Sequence, residues 1–231
     1  MKFFSLSSPS QSTFRPDGFT VLDSIINACA SRGIYVILEL HGAVGSQSGS
    51  EDIGQANAGG SSTGVYFSNS TDQSLTAWLW GQIATHYAAA NFGNSATIAG
   101  FDLLNETTGG TQSQVVAQYN ALYAAVRNAD PNRMIFLETI DSASWSMADF
   151  PSPSSQGWSN VVYSTHTYAC SSSPTTCTVS QVNTAVTNTI NHYNAISASY
   201  NVPRYIGEYS AYNTGYSEWQ SVQTAFANAG L

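Results

Sequence analysis

Apolar and polar positions alternate along the chain between two periods. In FRPDGFTVLDSIINACASRG, Val21, Leu22, Ile25, Ile26 and Cys29 recur near helical spacing and Gly33 stops the pattern, which predicts a helix with Cys29 as a buried thiol. IYVILELH, Ile34 to His41, is a continuous apolar run of strand type that ends on polar groups. A Gly/Ser-rich stretch from Gly42 to about Ser70 follows, a length of loop that usually serves a function. Beyond it, SLTAWLWGQIATHYAA reads as helix, IAGFDLLNE as a buried strand, QVVAQYNALYAAVRNAD as helix and RMIFLE as strand. A loop carrying Trp145 and Trp158 leads to the strand VVYSTHTY, the helix VSQVNTAVTNTINHYNAISASY, the strand PRYIGEY and a last helix, SEWQSVQTAFANAG.

Strands separated by helices imply right-handed crossovers and a parallel sheet covered by helices. An open dinucleotide-binding sheet is the obvious rival, but no G-x-G-x-x-G follows the first strand. The polar residues decide the choice. Each strand ends in chemically useful groups: His41, Asn105 with Glu106, Glu138, His166 with Tyr168, and Glu208. Such residues at the carboxyl ends of several parallel strands are what a (β/α)8 TIM barrel presents at its active face. The expected fold is therefore α/β, within a single catalytic domain over residues 1–231.

Composition narrows the chemistry. Six basic against fourteen acidic residues give a net charge of -8, and Lys2 is the only lysine, so no basic stripe for nucleic acid and no phosphate-cradling G-x-x-x-x-G-K loop is present. No G-x-S-x-G elbow occurs, and His41, His86, His166 and His192 lack an H-x-x-x-H zinc spacing. No apolar stretch approaches a membrane span. Cys170 and Cys177 flank CSSSPTTC, a loop short enough to close as a local disulfide; with scarce lysine and abundant Ser/Thr/Asn this favours an exported, secreted protein. The apolar run in MKFFSLSSPS nevertheless falls short of the usual ~7 to 15 residues of a signal-peptide core.

Glu106 and Glu208 end strands separated by two intervening strand-helix units, and in a closed barrel they face each other across the mouth. Two opposed carboxylates are what glycoside hydrolysis needs, one protonated to donate to the leaving oxygen and one ionised to attack the sugar carbon. A lone strand-end glutamate is more often a rim salt bridge, but six basic residues leave few cations for a whole set of them. His166 and Tyr168, two apart, share a strand face, from which a hydroxyl can bond a carboxylate nucleophile and an imidazole can tune an acid. Asn105-Glu106-Thr107 also spells a glycosylation acceptor, but a residue ending a buried strand cannot carry a sugar tree; Asn69-Ser70-Thr71, in the polar loop, is the better acceptor.

Together GIYVILELHGAVGSQSG, GFDLLNE, NVVYSTHTY and VPRYIGEYS resemble the successive active-site strands of glycoside hydrolase family 5, the cellulase-type clan A barrels, with the HGAVGSQSG loop similar to the 1,3-β-glucanase and endoglucanase branches. The resemblance runs from about Asp17 to Trp219. It implies Glu106 as general acid/base, Glu208 as nucleophile and Asn105 as donor to the sugar 2-hydroxyl. His166 and Tyr168 would support the carboxylates, His41 would contact the sugar, and Trp145 would be either a subsite platform or a core tryptophan. Glu138 is expected to be a polar rim residue without chemical duty, and Glu39 a barrel-layer group on the same strand face as His41. No cofactor or metal is implied. The implied activity is a retaining hydrolase of β-linked glucan, polysaccharide or oligosaccharide, with β-1,3-glucan, β-1,4-glucan and mannan all open; the alternative is a carbohydrate-binding remnant without turnover.

The resemblance covers the third to seventh units of the barrel, so an incomplete barrel is expected. Residues 1–16 hold no strand pair, Arg15 stands in an F-R-P-D turn rather than at the strand end where the family places an arginine beside the nucleophile, and no strand follows the final helix. An incomplete sheet has open edges, and the expectation is weak activity for the isolated chain.

Overall fold

The computed structural model describes residues 3–4, 8–49, 53, 64–140, 150–170, 176–211 and 214–231. Its elements are α1 (Phe19–Ala30), β1 (Val36–Glu39), α2 (Ser70–Tyr87), β2 (Ile98–Asp102), α3 (Gln112–Ala129), β3 (Met134–Ile140), the single turn α4 (Pro153–Gln156), β4 (Val161–Tyr168), α5 (Val179–Tyr200), β5 (Arg204–Ser210) and α6 (Tyr216–Asn228). Strand order follows chain order, β1-β2-β3-β4-β5, and the pairings β1 with β2, β2 with β3, and β4 with β5 are parallel. Parallel strands in chain order, joined through helices, are the repeating unit of a (β/α)8 barrel, and five such strands lie among the described residues. The chain divides into two compact units, residues 1–105 with 109–136 and residues 106–108 with 137–231.

In the first unit the core is aromatic. Trp80 and Tyr87 of α2, Tyr119 of α3 and Phe101 of β2 are buried together with Leu79, Ile83, Leu122 and Ile98, each worth about 1.5–3 kcal/mol for the larger apolar side chains. Two of the rings keep a polar tip satisfied: Trp80 Nε1 donates to the Leu103 carbonyl at 2.8 Å and the Tyr119 hydroxyl to that of Leu104 at 3.2 Å. These contacts fix the segment after β2, which ends as a strand at Asp102 rather than Glu106, although the Leu103 N–H still bonds the Phe136 carbonyl at 3.3 Å and the Asn105 N–H the Leu40 carbonyl at 3.2 Å.

Helix α2 begins four residues before the apolar pattern does. Asn69 caps it, its Oδ1 accepting from the N–H groups of Thr71 (3.0 Å) and Asp72 (3.4 Å). The expected glycosylation acceptor is thus a helix cap whose amide also donates to Asp72 Oδ2 at 2.8 Å. Helix α1 departs from expectation. Only Phe19 and Ile26 are buried, Val21 and Ile25 are exposed, and Cys29 is a half-buried free thiol rather than a core one. Cys29 stands three residues, about 60° around the helix, from Ile26, at the margin of the packed stripe.

In the second unit every residue of β4 from Val161 to Thr167 is buried, as for a strand covered on both faces. Thr178 and Gln181 form a capping box that starts α5. Val182 and Val186 of α5 pack with Ala211 and with Val222 and Phe226 of α6, against Ile206 and Tyr209 of β5. Cys170 and Cys177 are bridged, with Cα atoms 5.6 Å apart. The register of β4 on β5 pairs His166 with Glu208 after an irregularity between Thr165 and His166, and this brings the two functional groups side by side. Among the described residues no helix is long and apolar enough to cross a membrane.

Candidate active site

Four acidic or aromatic side chains of the second unit converge on one imidazole. His166 Nδ1 lies 2.8 Å from Glu106 Oε1 and 3.9 Å from Glu208 Oε1, while Nε2 lies 3.2 Å from Glu138 Oε2. The Tyr168 hydroxyl donates to Glu208 Oε2. One carboxylate oxygen of Glu106 and one of Glu208 lie within 4.8 Å of each other. Exposure rises along this chain of contacts: the side chains of Glu138, His166, Glu106 and Glu208 are 0%, 1%, 14% and 42% exposed. The site therefore runs from a dry floor to an open rim, with the two strand-end glutamates predicted to do chemistry at the open end.

Local backbone explains part of the placement. Glu106 stands at φ 41°, the left-handed region that non-glycine residues seldom take, and its N–H donates to Glu138 Oε1 at 2.6 Å. Gly207, just before Glu208, leaves room for the imidazole: a Cβ there would meet His166 Nε2 at 2.7 Å and Cδ2 at 3.0 Å. Tyr168 follows His166 by two on the same strand face, as expected, and so reaches the same carboxylate neighbourhood.

Electrostatics follow from the contacts. Burial is the largest influence on His166 and pulls its pKa down, but the hydrogen bonds with Glu106 and Glu138 and the charges of Glu138 and Glu208 outweigh it, so the pKa is pushed up to about 10 from the ordinary 6.5. At neutral pH the ring is charged, with Nδ1 hydrogen-bonded to Glu106 and Nε2 facing Glu138 Oε2 as an ion pair. Glu106, His166 and Glu208 also offer donor atoms at a spacing a small cation could bridge.

The expectation that Glu138 is a rim residue is overturned. It is fully buried, because its strand brings it beneath His166 and a buried carboxylate needs a cation and a donor. Among the described residues Arg15 pairs with exposed Asp17 at 2.7 Å, Arg133 with Asp130 at 2.9 Å, and Arg204 bonds Asn194 and the Ala229 carbonyl, while Glu138 faces a histidine.

His41 and Asn105 belong to the first unit. His41 is exposed, with Nδ1 3.1 Å from Glu39 Oε2, which fits a shared face for that pair, but Glu39 is itself exposed rather than packed in a barrel layer. Asn105 is fully buried, and neither polar atom of its amide has a hydrogen-bond partner there among the described residues; Thr107 is buried as well, so the sequon at 105–107 is closed to a glycan. Sequence reasoning missed Gln47, whose buried amide bonds the carbonyls of His41 (3.0 Å) and Asn105 (2.8 Å) and the Ala43 N–H (3.0 Å). Its place in the HGAVGSQSG loop was the one available pointer. Trp145 lies outside the described residues.

Comparison with known proteins gives the family of the chain. The family described as Cellulase (glycosyl hydrolase family 5) matches residues 4–229. A β-xylosidase of Phanerodontia chrysosporium is 33% identical over 157 residues, 67% of this chain and 30% of that protein. A glucan 1,3-β-glucosidase of Pichia angusta is 34% identical over 110 residues, 46% of this chain and 23% of that protein. The chain thus spans a third or less of the curated relatives it matches. Among solved structures, the catalytic domain of the Thermobifida fusca endoglucanase Cel5A superposes with a TM-score of 0.57 at 16% identity, over 96% of this chain and 64% of that one. With its motifs, its parallel strand-helix order and a family match over nearly its whole length, the chain belongs to glycosyl hydrolase family 5.

Proposed function

We propose that the chain carries a retaining β-glycosidase site for β-linked glucan, with Glu208 as nucleophile and Glu106 as acid/base. The observation that carries this reading is the spacing of the pair. Oxygens of Glu106 and Glu208 lie within 4.8 Å, close to the roughly 5–5.5 Å of retaining enzymes and well short of the roughly 6.5–9.5 Å that admits a water in inverting ones. In the first displacement a Glu208 oxygen attacks the anomeric carbon, the glycosidic C–O bond breaks, and Glu106 gives its proton to the departing oxygen. In the second, Glu106 takes a proton from water, the hydroxide oxygen bonds the anomeric carbon, and the ester to Glu208 breaks. The Tyr168 hydroxyl bond on Glu208 steers the free oxygen toward the sugar. His166 holds the Glu106 carboxyl at 2.8 Å.

His41 and Trp145 enter the reading as sugar contacts through family membership; Asn105, expected as a third, is fully buried. The names β-xylosidase and glucan 1,3-β-glucosidase of the two curated relatives favour a β-glycan, and the Cys170–Cys177 bridge favours export to an oxidising compartment. The test is hydrolysis of laminari- and cello-oligosaccharides by the chain and by its Glu106→Gln and Glu208→Gln variants, followed as reducing sugar. Each variant is expected to lose at least about 100-fold in rate while still binding sugar by calorimetry. Undiminished turnover in either variant overturns the assignment, and binding without turnover in the unchanged chain makes it a carbohydrate-binding relic.

A further inference from the structure

Glu138 takes no part in the double displacement, yet it is the most deeply buried acid of the site, with no exposed side-chain surface. A buried carboxylate destabilises the fold unless its oxygens are paired, so its place calls for a reason. Oε1 accepts the Glu106 N–H at 2.6 Å, and Oε2 lies 3.2 Å from His166 Nε2. Glu106 itself stands at φ 41°, a conformation that persists only where the surroundings over-determine it. The N–H that Glu138 receives belongs to that same residue. The imidazole that Glu138 holds at Nε2 in turn holds the Glu106 carboxyl at Nδ1, 2.8 Å away. Glu106 is thus gripped at its backbone directly and at its side chain through one ring, both grips ending on Glu138.

We propose that Glu138 is a positioning residue for proton delivery, fixing the Glu106 backbone and side chain without touching the sugar; the inference rests on Glu106 being the acid/base. Removing it frees the two ends of Glu106 together, whereas Glu208 keeps its bond from Tyr168. A leaving group that needs a proton must then suffer more than one that departs as a stable anion. A carboxylate that merely supported the fold would affect both alike.

The experiment compares the chain with Glu138→Ala, Glu138→Gln and Glu106→Gln on phenyl and 2,4-dinitrophenyl β-glucosides, reading kcat/KM, which reports the first displacement. Displacing a catalytic group by ~1 Å costs about 100-fold, so Glu138→Ala is expected to lose about that on the phenyl glucoside and under about threefold on the dinitrophenyl one. Glu138→Gln keeps an acceptor for the Glu106 N–H and falls between; it also carries the comparison if circular dichroism finds the alanine variant unfolded. Equal losses on both substrates, or none, overturn the proposal. Should Glu106→Gln spare the phenyl glucoside, the acid/base reading falls and takes the proposal with it, a result distinct from failure at Glu138 alone. A readout independent of turnover is the Glu106 amide proton, shifted downfield by a carboxylate acceptor: it is expected to move upfield in Glu138→Ala, and an unmoved resonance overturns the proposal.

Discussion

His166 spends almost no surface on solvent and still carries a charge at neutral pH, because three carboxylates face it from β3, β5 and the segment after β2. That charge has a consequence for stability. The ring's pKa is raised from 6.5 to about 10 in the fold, so the folded chain keeps a proton that the unfolded chain releases. The stabilisation is complete below about 6.5 and is lost as pH rises toward about 10. Urea midpoints measured for the chain and for His166→Gln from pH 6 to 10 are expected to converge as pH rises; a gap that stays constant or widens contradicts a charged ring. Residue by residue, the sequence exposed Glu106, Glu208, His166 and Tyr168 because strand ends and an i, i+2 spacing are local features. Glu138 was misread, since burial beneath a neighbouring strand is a property of packing that no local pattern carries.

The strands and helices that deliver these groups follow the apolar pattern closely. Predicted and observed limits coincide for β4 and α5, the start of α5 being marked by a Thr-x-x-Gln capping box. They diverge where side-chain hydrogen bonds decide. Asn69 starts α2 early, and β2 stops at Asp102 because Trp80 and Tyr119 take the next carbonyls. The irregularity between Thr165 and His166, invisible in the letters, sets which residue of β5 faces the imidazole. Gly207 is the element's tightest requirement. Gly207→Ala is expected to push the His166 ring off Glu138 and to lower activity by about 10- to 100-fold, while far-UV circular dichroism stays unchanged; full activity in that variant contradicts the packing described for β4 on β5.

At the scale of the molecule, the α/β class was legible from alternation alone, and the barrel relation from where the polar groups fall. The exposure of Val21 and Ile25 was not, because the helical stripe of α1 is wider than the face it packs. What the fold accomplishes is a gradient: a buried acid, a charged imidazole, a partly shielded acid and an open carboxylate, in that order. The open carboxylate is the one a sugar carbon must reach, so the central claim is that Glu208 bonds covalently to the sugar. Incubating the chain with an activated 2-deoxy-2-fluoro-β-glucoside and measuring intact mass, then mapping the modified peptide, tests this directly. The account predicts one glycosyl adduct per chain, located on Glu208 and absent from Glu208→Gln; an adduct on any other residue, or the same labelling in Glu208→Gln, would contradict it.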